Sequence, residues 1–363
     1  MSGSITPLRV YGSDISYFTG KLEAYLRYKE IPYQREPGNP MPIARRYTGN
    51  AQIPAVLLAD GRWLTDTTPI LDWLETQVPE PRVVPADPLQ AFASRLLEDY
   101  ADEWLWRPAM HYRWSYPADA ALLSRKIVDE MLTGAPLPAA LKRLAIRTRQ
   151  RVFFVRRDGV DASTRAHVEA VYLRTLDQLQ GVLAVHPFLL GDVPTLADFG
   201  FFASMFRHFG TDPTPSKIMR ERAPEVHAWV ARMWDARASL TQGSLVDGIP
   251  AEWSPILEEI GASYLPHLCA NAEAWIRHDR RFDVEIQGVL YRGLRTARYR
   301  VWCLERLRDH FDGLPEAVRG EARALLDKHG CWEPLWRVEE PVSGVDPERR
   351  APFAPGCSMT GRD

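Results

Sequence analysis

Residues 51–75, AQIPAVLLADGRWLTDTTPILDWLE, constrain the fold more than any other stretch of this chain. A short apolar run at 55–58 is followed by the hairpin signal Asp60-Gly61 and by a second short run at 62–64. A hydroxyl residue and Pro69 then begin a helix, because proline is tolerated in the first turn. The stretch therefore predicts strand, tight turn, strand and helix, in that order.

The residues before this stretch extend the same α/β unit. Hydrophobic patterning predicts a strand at 8–11, a helix at 19–30 and a second strand at 33–35. The proline-rich stretch 79–88 then interrupts regular structure and separates this unit from the rest of the chain.

Helical patterns dominate the remainder of the chain. They predict an all-α second domain, with helices over 89–114, 118–132, 137–156, 163–185, 195–209 and 224–238. A mainly helical appendage follows, with a strand or hairpin at 282–291. We therefore divide the chain into an α/β domain (1–84), an all-α domain (89–246), an α(+β) extension (247–340) and an irregular tail (341–363).

Four short motifs occur in the order of a known family. Residues 16–22, SYFTGKL, follow the first strand, Ile53-Pro54 precedes the hairpin, Asp66-Thr67 begins a helix, and residues 191–199 read GDVPTLADF. Together they resemble the cytosolic glutathione S-transferases over roughly residues 8–245. The resemblance implies a thioredoxin-like N-terminal domain followed by an all-helical C-terminal domain.

Two residues depart from the family pattern. Tyr17 stands where proline is usual, and Gly20 stands where arginine is common. In the GDVPTLADF segment, Thr195 and Asp198 form a capping-box pattern, which we interpret as structural.

The resemblance gives Ser16 the position that contacts the thiol of glutathione, which would serve as co-substrate. A free thiol is mostly protonated at neutral pH, yet the thiolate is the nucleophile. A hydroxyl donor at a helix N-terminus favours the anion through its hydrogen bond and the helix dipole. The alternative is that Ser16 only caps the helix; Tyr11, Ser13, Tyr17 and Thr19 are rival hydroxyls.

Five further residues are expected to bind glutathione. A cis proline at Pro54 would turn the backbone groups of Ile53 outward, where they can pair with the cysteinyl backbone. Asp66 would accept from the ligand's ammonium, and Thr67 with the helix N-terminus would hold the γ-glutamyl carboxylate. Gln52 is a weaker candidate for the other carboxylate. A trans proline and a plain helix cap are the alternatives.

An aromatic segment at 104–114 is the candidate electrophile site, because the corresponding helix of the family lines the cleft between domains. With the first loop, it supplies the candidate substrate contacts Tyr17, Trp106, His111, Tyr112 and Trp114. A packed interdomain core is the alternative, and His111 is a possible acid or base. The neighbouring residues Asp99, Asp102 and Glu103 are interpreted as a solvated face.

Composition disfavours several other classes of protein. A formal charge of −2 gives no overall attraction to nucleic acid or anionic membrane, and no apolar run is long enough to span a bilayer. The first ten residues lack the pattern of a signal peptide. The four cysteines lack metal-ligand spacing, and the nine histidines lack a zinc motif, so no metal site is expected.

One segment is strongly basic. Between residues 142 and 157 it carries Lys142 and six arginines. Contact with RNA or with ligand carboxylates is conceivable, but we interpret the segment as a solvated face or as pairing with an acidic helix.

These inferences lead to one functional expectation. The chain is expected to be a cytoplasmic transferase that joins the glutathione sulfur to a small electrophile, with a role in detoxification. The resemblance also implies a homodimer. Dehalogenation or isomerisation through the same thiolate is a close variant. A non-catalytic binding or assembly module of the same fold is the alternative.

Overall fold

The computed structural model describes residues 5–357. The first domain consists of four strands and three helices: β1 (Leu8–Tyr11), α1 (Tyr17–Tyr28), β2 (Tyr33–Arg35), α2 (Met41–Thr48), β3 (Ala55–Leu57), β4 (Trp63–Thr65) and α3 (Thr67–Gln77). The strands form one mixed sheet in the order β2-β1-β3-β4, with β1 parallel to β2 and the other pairs antiparallel.

Buried and exposed side chains alternate along these strands, and the buried ones form the core of the first domain. Val10 pairs with Val56, which in turn pairs with Leu64, and all three side chains are fully buried. Leu22 and Leu26 on α1 are also fully buried in the same hydrophobic cluster. The hairpin and helix predicted from residues 51–75 are therefore confirmed.

Eight helices follow: α4 (Pro88–Glu103), α5 (Trp106–Ser115), α6 (Pro117–Met131), α7 (Ala139–Gln150), α8 (Arg165–Leu183), α9 (Leu196–Ser204), α10 (Pro213–Arg222) and α11 (Pro224–Asp235). The chain stays helical after α7 and after α9, with wider π-type turns at Arg151–Val155 and Met205–Gly210. The capping box at Thr195 and Asp198 is present.

Proline explains three differences between the predicted and the observed helices. The helix predicted over 89–114 is two helices, because Pro108 has no N–H to donate to the carbonyl of Trp104. α2 and α10 were not predicted, since each has prolines in its first turn that resemble a helix breaker in the sequence.

The extension contains five helices and a hairpin: α12 (Ser254–Glu259), α13 (Leu265–Ile276), β5 (Arg281–Ile286), β6 (Val289–Arg295), α14 (Arg298–Asp312), α15 (Glu316–Lys328) and α16 (Trp332–Trp336). Helices α14 and α15 pack on α4. The extension is thus part of one continuous hydrophobic core with the two preceding domains.

The tail after α16 returns to the first domain. The backbone N–H of Thr65 in β4 donates to the carbonyl of Pro352 at 3.0 Å, and that of Gly356 donates to the carbonyl of Thr48 at 2.8 Å. Phe353 packs edge-on against Trp73 of α3. The predicted irregular tail is therefore anchored as far as it is described; residues 1–4 and 358–363 lie outside the described part.

Candidate functional site

The loop between β1 and α1 ends at Ser16, which is the N-cap of α1. Its Oγ accepts a hydrogen bond from the backbone N–H of Thr19 at 3.3 Å. The helix begins two residues before its predicted start, so Ser16 lies directly at the positive end of the helix dipole. No hydrogen bond donated by this hydroxyl occurs within residues 5–357, so its proton is available to a ligand.

Two arginines of the helical domain fix this loop. Arg113 donates to the carbonyl of Ile15 at 2.8 Å and pairs with Asp212 at 2.7 Å. Arg207 donates to the carbonyl of Ser13 at 3.3 Å and pairs with Glu23 at 2.6 Å. The position of the loop before Ser16 therefore depends on the second domain.

Gly20 stands where arginine is common in the family, and the packing around it explains why a side chain would not fit. A Cβ at this residue would lie 2.6 Å from Cγ of Arg207, closer than packed carbon atoms can approach. The glycine leaves room for Arg207 to reach the loop. The departure noted in the sequence is thus matched by a residue from a distant part of the chain.

A cavity of about 460 Å³ lies beside Ser16; we call it the cleft. This volume is in the range of small-molecule sites. Its walls come from the first loop, the segment before β3, and helices α5, α6 and α7; they include Ser16, Gln52, Ile53, Trp106, Trp114, Ile146 and Phe154. Most of the exposed lining is apolar, so the cleft suits an apolar or aromatic compound.

The segment before β3 brings an unpaired backbone edge to the cleft. The peptide bond between Ile53 and Pro54 is cis. Neither the N–H nor the C=O group of Ile53 is hydrogen-bonded within the described residues. An extended peptide could therefore pair with this edge by strand addition. Gln52 lines the cleft as well, and its Oε1 has no hydrogen-bond partner in the described part of the chain.

Next to the cleft is a second, smaller cavity, which we call the acidic chamber. The two cavities share Phe18, Gln52 and Ile53 in their walls. The chamber has a volume of only about 30 Å³, enough for one or two water molecules. Its lining includes Pro54, Asp66, Thr67, Asp99, Asp102, Glu103, Tyr299, Trp302, Cys303 and Arg306.

Helix α14 of the extension forms one wall of the acidic chamber. Tyr299, Trp302, Cys303 and Arg306 have the spacing i, i+3, i+4 and i+7, which places them on one helical face. The hydroxyl of Tyr299 donates to Oδ2 of Asp66 at 2.9 Å. The extension therefore covers the two residues, Asp66 and Thr67, that were predicted to bind the γ-glutamyl group.

Asp66 has an unusual backbone conformation at this contact. Its φ is 70°, in a region that non-glycine residues rarely adopt, and its side chain does not cap α3. Burial raises the pKa of its carboxyl to about 6, although the hydrogen bond from Tyr299 opposes the shift.

The carboxylates of α4 are not the solvated face that we predicted. Asp102 and Glu103 are buried, and Asp99 is half-buried and accepts from the hydroxyl of Tyr264 at 2.6 Å. Burial raises the pKa of Asp99 to about 7 and that of Glu103 well above its usual range. The prediction was wrong because α4, read alone, does not show that the extension packs on its polar side.

Lys21 compensates part of this negative charge. It is fully buried, and its Nζ lies 2.5 Å from Oε1 of Glu98 and also contacts Oδ2 of Asp102. Burial alone would lower the pKa of Lys21, but the two carboxylates raise it overall. Among residues 5–357, Oδ1 of Asp102 and Oε2 of Glu103 find no hydrogen-bond partner.

Three of the five predicted substrate contacts lie at the cleft, and two do not. Tyr17, Trp106 and Trp114 line the cleft. His111 and Tyr112 do not, because they lie on another face of α5: His111 contacts Glu169 at 2.9 Å, and Tyr112 packs edge-on against Tyr172. Burial lowers the pKa of His111.

Two of the rival hydroxyls donate to other groups. Tyr17 donates to the carbonyl of Ala101, and Ser13 donates to Glu130 at 2.7 Å. Thr19 Oγ1 accepts from the N–H of Ser13, and neither Thr19 nor Tyr11 lines the cleft.

Sequence reasoning missed His208 and the extension residues. His208 lines the cleft, and its Nε2 lies 2.7 Å from Arg113. Burial, with help from Arg113, lowers its pKa well below the usual range, so the ring is neutral. Only the helical spacing of Tyr299, Trp302 and Arg306 hinted that these residues share a face, and nothing in the sequence indicated what that face contacts.

Neither a metal centre nor a membrane span occurs in the described part of the chain. Residues 5–357 contain no cluster of three or more side chains arranged to hold a metal ion. In the same range, every helix is too short or too polar to cross a bilayer.

Comparison with known proteins identifies two family domains. Residues 15–77 match the model of the glutathione S-transferase N-terminal domain, and residues 146–235 match that of the C-terminal domain. No curated protein sequence matches the chain.

Solved structures similar to this chain include three bacterial proteins. The beta-etherase LigF from Sphingobium sp. strain SYK-6 is 20% identical, with 63% of this chain and 95% of that chain covered and a TM-score of 0.45. A glutathione S-transferase from Methylobacterium radiotolerans, in complex with glutathione sulfonate, is 19% identical (68% and 100% covered, TM-score 0.39). One from Rhodospirillum rubrum F11 is 18% identical (68% and 98% covered, TM-score 0.41).

The two domain matches stand in the family's order along the chain and coincide with the mixed sheet and the helical domain described above. Residues 15–77 and 146–235 thus match the two domains of the glutathione S-transferase family, and the chain continues beyond them into a C-terminal extension.

Proposed function

We propose that this protein is a glutathione-dependent transferase in which Ser16 activates the thiol and the cleft holds a small electrophile. The observation that carries the proposal is the convergence of Ser16, the unpaired edge of Ile53 and apolar side chains on one cavity of about 460 Å³. The family match supplies the expectation that the thiol is glutathione.

In this proposal the chemistry begins with the thiol. Its sulfur accepts a hydrogen bond from the Ser16 hydroxyl at the N-terminus of α1, which favours the thiolate. The proton leaves to solvent through the open cleft. The cysteinyl backbone pairs with Ile53, and this pairing fixes the sulfur relative to Ser16.

The electrophile occupies the apolar part of the cleft, between Trp106, Trp114 and Phe154. The thiolate uses its electron pair to form a carbon–sulfur bond, and a leaving group departs with the electrons of the bond that breaks. The aromatic walls suit an aromatic or otherwise apolar electrophile.

Binding of the γ-glutamyl group of glutathione requires α14 of the extension to move. Asp66 and Thr67 lie in the acidic chamber, which is too small for an amino-acid group while Tyr299 and Trp302 stay in place. We propose that α14 moves outward when glutathione binds, and that the ligand's ammonium then meets Asp66. Asp102 and Glu103, each with one oxygen that has no partner in the part of the chain described by the structure, line the same chamber.

Substitution of Ser16 tests the proposal, provided that capping and thiol activation are separated. Ser16→Ala removes both roles, whereas Ser16→Asp keeps a good N-cap but places a carboxylate beside the sulfur. We expect both variants to lose about 100-fold or more in turnover toward a panel of electrophiles, by analogy with loss of one charge-stabilising donor. Only Ser16→Ala should also lose thermal stability. Ser163→Ala, at an exposed serine that does not line the cleft, is the matched control.

Full activity in Ser16→Asp would show that the serine is only a helix cap. Calorimetry on the unmodified protein provides the second test: saturating glutathione that gives no heat and no shift in melting temperature would overturn the proposal.

The alternative is a non-catalytic binding module. The cover formed by Tyr299 and Trp302 over Asp66 favours this alternative, because it keeps the polar subsite closed. Glutathione binding without turnover of any electrophile would support the module, whereas conjugate formation would exclude it.

Two further expectations belong to the proposal. The cytoplasm is the proposed compartment, since the buried residues Cys269, Cys303 and Cys331 are free thiols. A homodimer, if it forms, must use a surface other than the side of α4 that α14 and α15 cover. Analytical ultracentrifugation measures the oligomeric state.

A further inference from the structure

Arg113 of α5 uses every N–H group of its guanidinium at the junction between the first domain and the helical domain. Its Nε and Nη2 donate to the two carboxylate oxygens of Asp212 at 2.7 and 2.9 Å, and Nη2 also donates to the carbonyl of Arg207 at 2.6 Å. Its Nη1 donates to the carbonyl of Ile15 at 2.8 Å and to Nε2 of His208 at 2.7 Å. A guanidinium has five N–H groups, so each of them has an acceptor.

The side-chain partners of Arg113 are buried with it. Arg113 is 3% exposed, Asp212 is 1% exposed and His208 is 2% exposed. Two parallel hydrogen bonds between an arginine and a carboxylate fix the orientation of the guanidinium as well as its charge. The guanidinium therefore has one defined position, from which Nη1 reaches the loop of the first domain.

The peptide group between Ile15 and Ser16 is held from both sides. Its carbonyl accepts from Arg113, and its N–H donates to the carbonyl of Ser13 at 3.0 Å. The backbone of Ser16 is extended, with φ −84° and ψ 126°. The direction of the Ser16 side chain follows from this backbone and from the cap contact with Thr19 at 3.3 Å. Arg113 thus acts on the first of these two constraints.

Helix α5 also forms the wall of the cleft at which the electrophile is proposed to lie. Trp106, Met110, Arg113 and Trp114 of this helix all line the cleft. The helix that would contact the electrophile therefore also holds the loop that carries Ser16. Catalytic rates fall steeply when one reacting group is displaced relative to the other.

We propose that Arg113 is a positioning residue for thiol activation, because through the carbonyl of Ile15 it directs the hydroxyl of Ser16 into the cleft. This role of Arg113 rests on the proposed function of Ser16. Asp212 balances the charge of the guanidinium, so Arg113 acts on the geometry of the loop and not through its own field.

Two other roles of Arg113 give different expectations. A structural role would stabilise the contact between the domains without affecting the thiol. A direct electrostatic role would lower the thiol pKa through the positive charge alone. Asp212→Asn separates charge from position, because it removes the anion that balances and orients the guanidinium. The electrostatic role predicts a lower thiol pKa in this variant, whereas loss of position predicts a higher one.

The main test combines Arg113→Met with Asp212→Asn, which removes both members of the pair so that neither charge is left buried alone. We expect the pKa of the thiol of bound glutathione, measured by the ultraviolet absorbance of the thiolate, to rise by about one unit. Turnover at a pH below that pKa should fall about tenfold with the thiolate fraction, while the KM for the electrophile stays unchanged. Asp212→Asn alone should also raise the thiol pKa.

Arg107→Met is the matched control. Arg107 lies on the same helix, is 2% exposed and donates to Asp158 at 3.2 Å, but it does not line the cleft. Asp158 keeps a second partner in this variant, because Arg300 also donates to it at 3.0 Å. We expect a lower melting temperature and an unchanged thiol pKa.

Hydrogen exchange of the unliganded protein tests the position of the loop without glutathione. We expect the backbone amides of residues 13–16 to exchange about tenfold faster in the double variant, because the N–H of Ser16 loses its fixed geometry. The same amides should exchange at the unmodified rate in Arg107→Met. Failure of the unmodified protein to bind glutathione would overturn the proposed function, and the exchange rates would then decide the positioning role alone.

Three results would overturn the positioning role. The first is an unchanged exchange rate at residues 13–16, or an unchanged thiol pKa, in the double variant. The second is a lower thiol pKa in Asp212→Asn. The third is a rise of the thiol pKa in Arg107→Met that equals the rise in the double variant.

Discussion

The hydroxyl of Tyr299 donates a 2.9 Å hydrogen bond to the carboxylate of Asp66, across 233 positions of the sequence. This contact joins the extension to the residue at which the family resemblance places the ligand's ammonium. It makes α14 a part of the candidate site rather than a separate lobe.

Removing this hydrogen bond should make the site more accessible. Tyr299→Phe keeps the ring but lets α14 separate from Asp66 at lower cost. We expect glutathione to bind about fivefold more tightly and the melting temperature to fall slightly, because one buried hydrogen bond contributes about 1 kcal/mol. Calorimetric titration measures the affinity. Tyr47→Phe, at an exposed tyrosine, is the control; weaker binding by Tyr299→Phe would show instead that the hydroxyl contacts the ligand.

Asp99 should make stability depend on pH. Burial raises its pKa to about 7, with Tyr264, Glu98, Arg306 and Cys303 around it. The folded state therefore holds the proton more tightly than the unfolded state. Its contribution to stability is complete below about pH 4 and is lost as the pH rises through about 7.

Asp99→Asn isolates this effect. The amide oxygen can still accept from Tyr264, but the side chain no longer titrates. We expect the variant to gain stability relative to the unmodified protein as the pH rises from about 4 to 8. Urea unfolding at several pH values measures the difference. A difference that is constant across this range, or that falls with pH, would contradict the assignment.

Lys21 should be essential for folding stability. Lys21→Met leaves Glu98 and Asp102 facing each other without a cation, and breaking such a buried pair costs about 3–5 kcal/mol. Chemical denaturation measures the loss. Lys217→Met removes an exposed lysine paired at 3.9 Å and should change stability by less than about 0.5 kcal/mol. Adding Asp102→Asn to Lys21→Met should recover part of the loss; no recovery would refute the electrostatic explanation.

Two glycines in helices should respond in opposite ways to alanine. Gly20→Ala places a methyl group 2.6 Å from the Arg207 side chain and should destabilise the protein by about 1–3 kcal/mol. A methyl group added at Gly181 in α8 would have no neighbouring atom within 4 Å, so Gly181→Ala should stabilise the protein by up to about 1 kcal/mol. Thermal unfolding distinguishes the two. If Gly20→Ala were as stable as the unmodified protein, the close approach of Arg207 would not explain the glycine.

Local sequence patterns were sufficient for much of the fold. The hairpin at 55–65 and the helix that follows it depend on turn chemistry and short-range periodicity, which are visible in the sequence. The strand or hairpin predicted at 282–291 lies within the observed hairpin of β5 and β6. Helices α2 and α10 were not predicted, because the sequence does not distinguish a proline in the first turn of a helix from a proline that ends one.

The candidate site was harder to predict because it depends on long-range contacts. Ser16 and Ile53 could be selected through motifs, but their common cavity also needs Trp106 and Phe154 from the second domain. The carboxylates Asp102 and Glu103 were assigned to solvent, since no local pattern reveals that a helix some 200 residues away covers them. Tertiary packing, rather than residue type, decided their burial.

The tail contact with β4 has a consequence for biosynthesis. Thr65 lies on the edge strand of the first sheet, and its N–H donates to the carbonyl of Pro352. Because a nascent chain emerges in the order of its sequence, that strand acquires this partner only after the helical domain and the extension have been synthesised. The sheet of the first domain is therefore completed later than the helices that follow it can form.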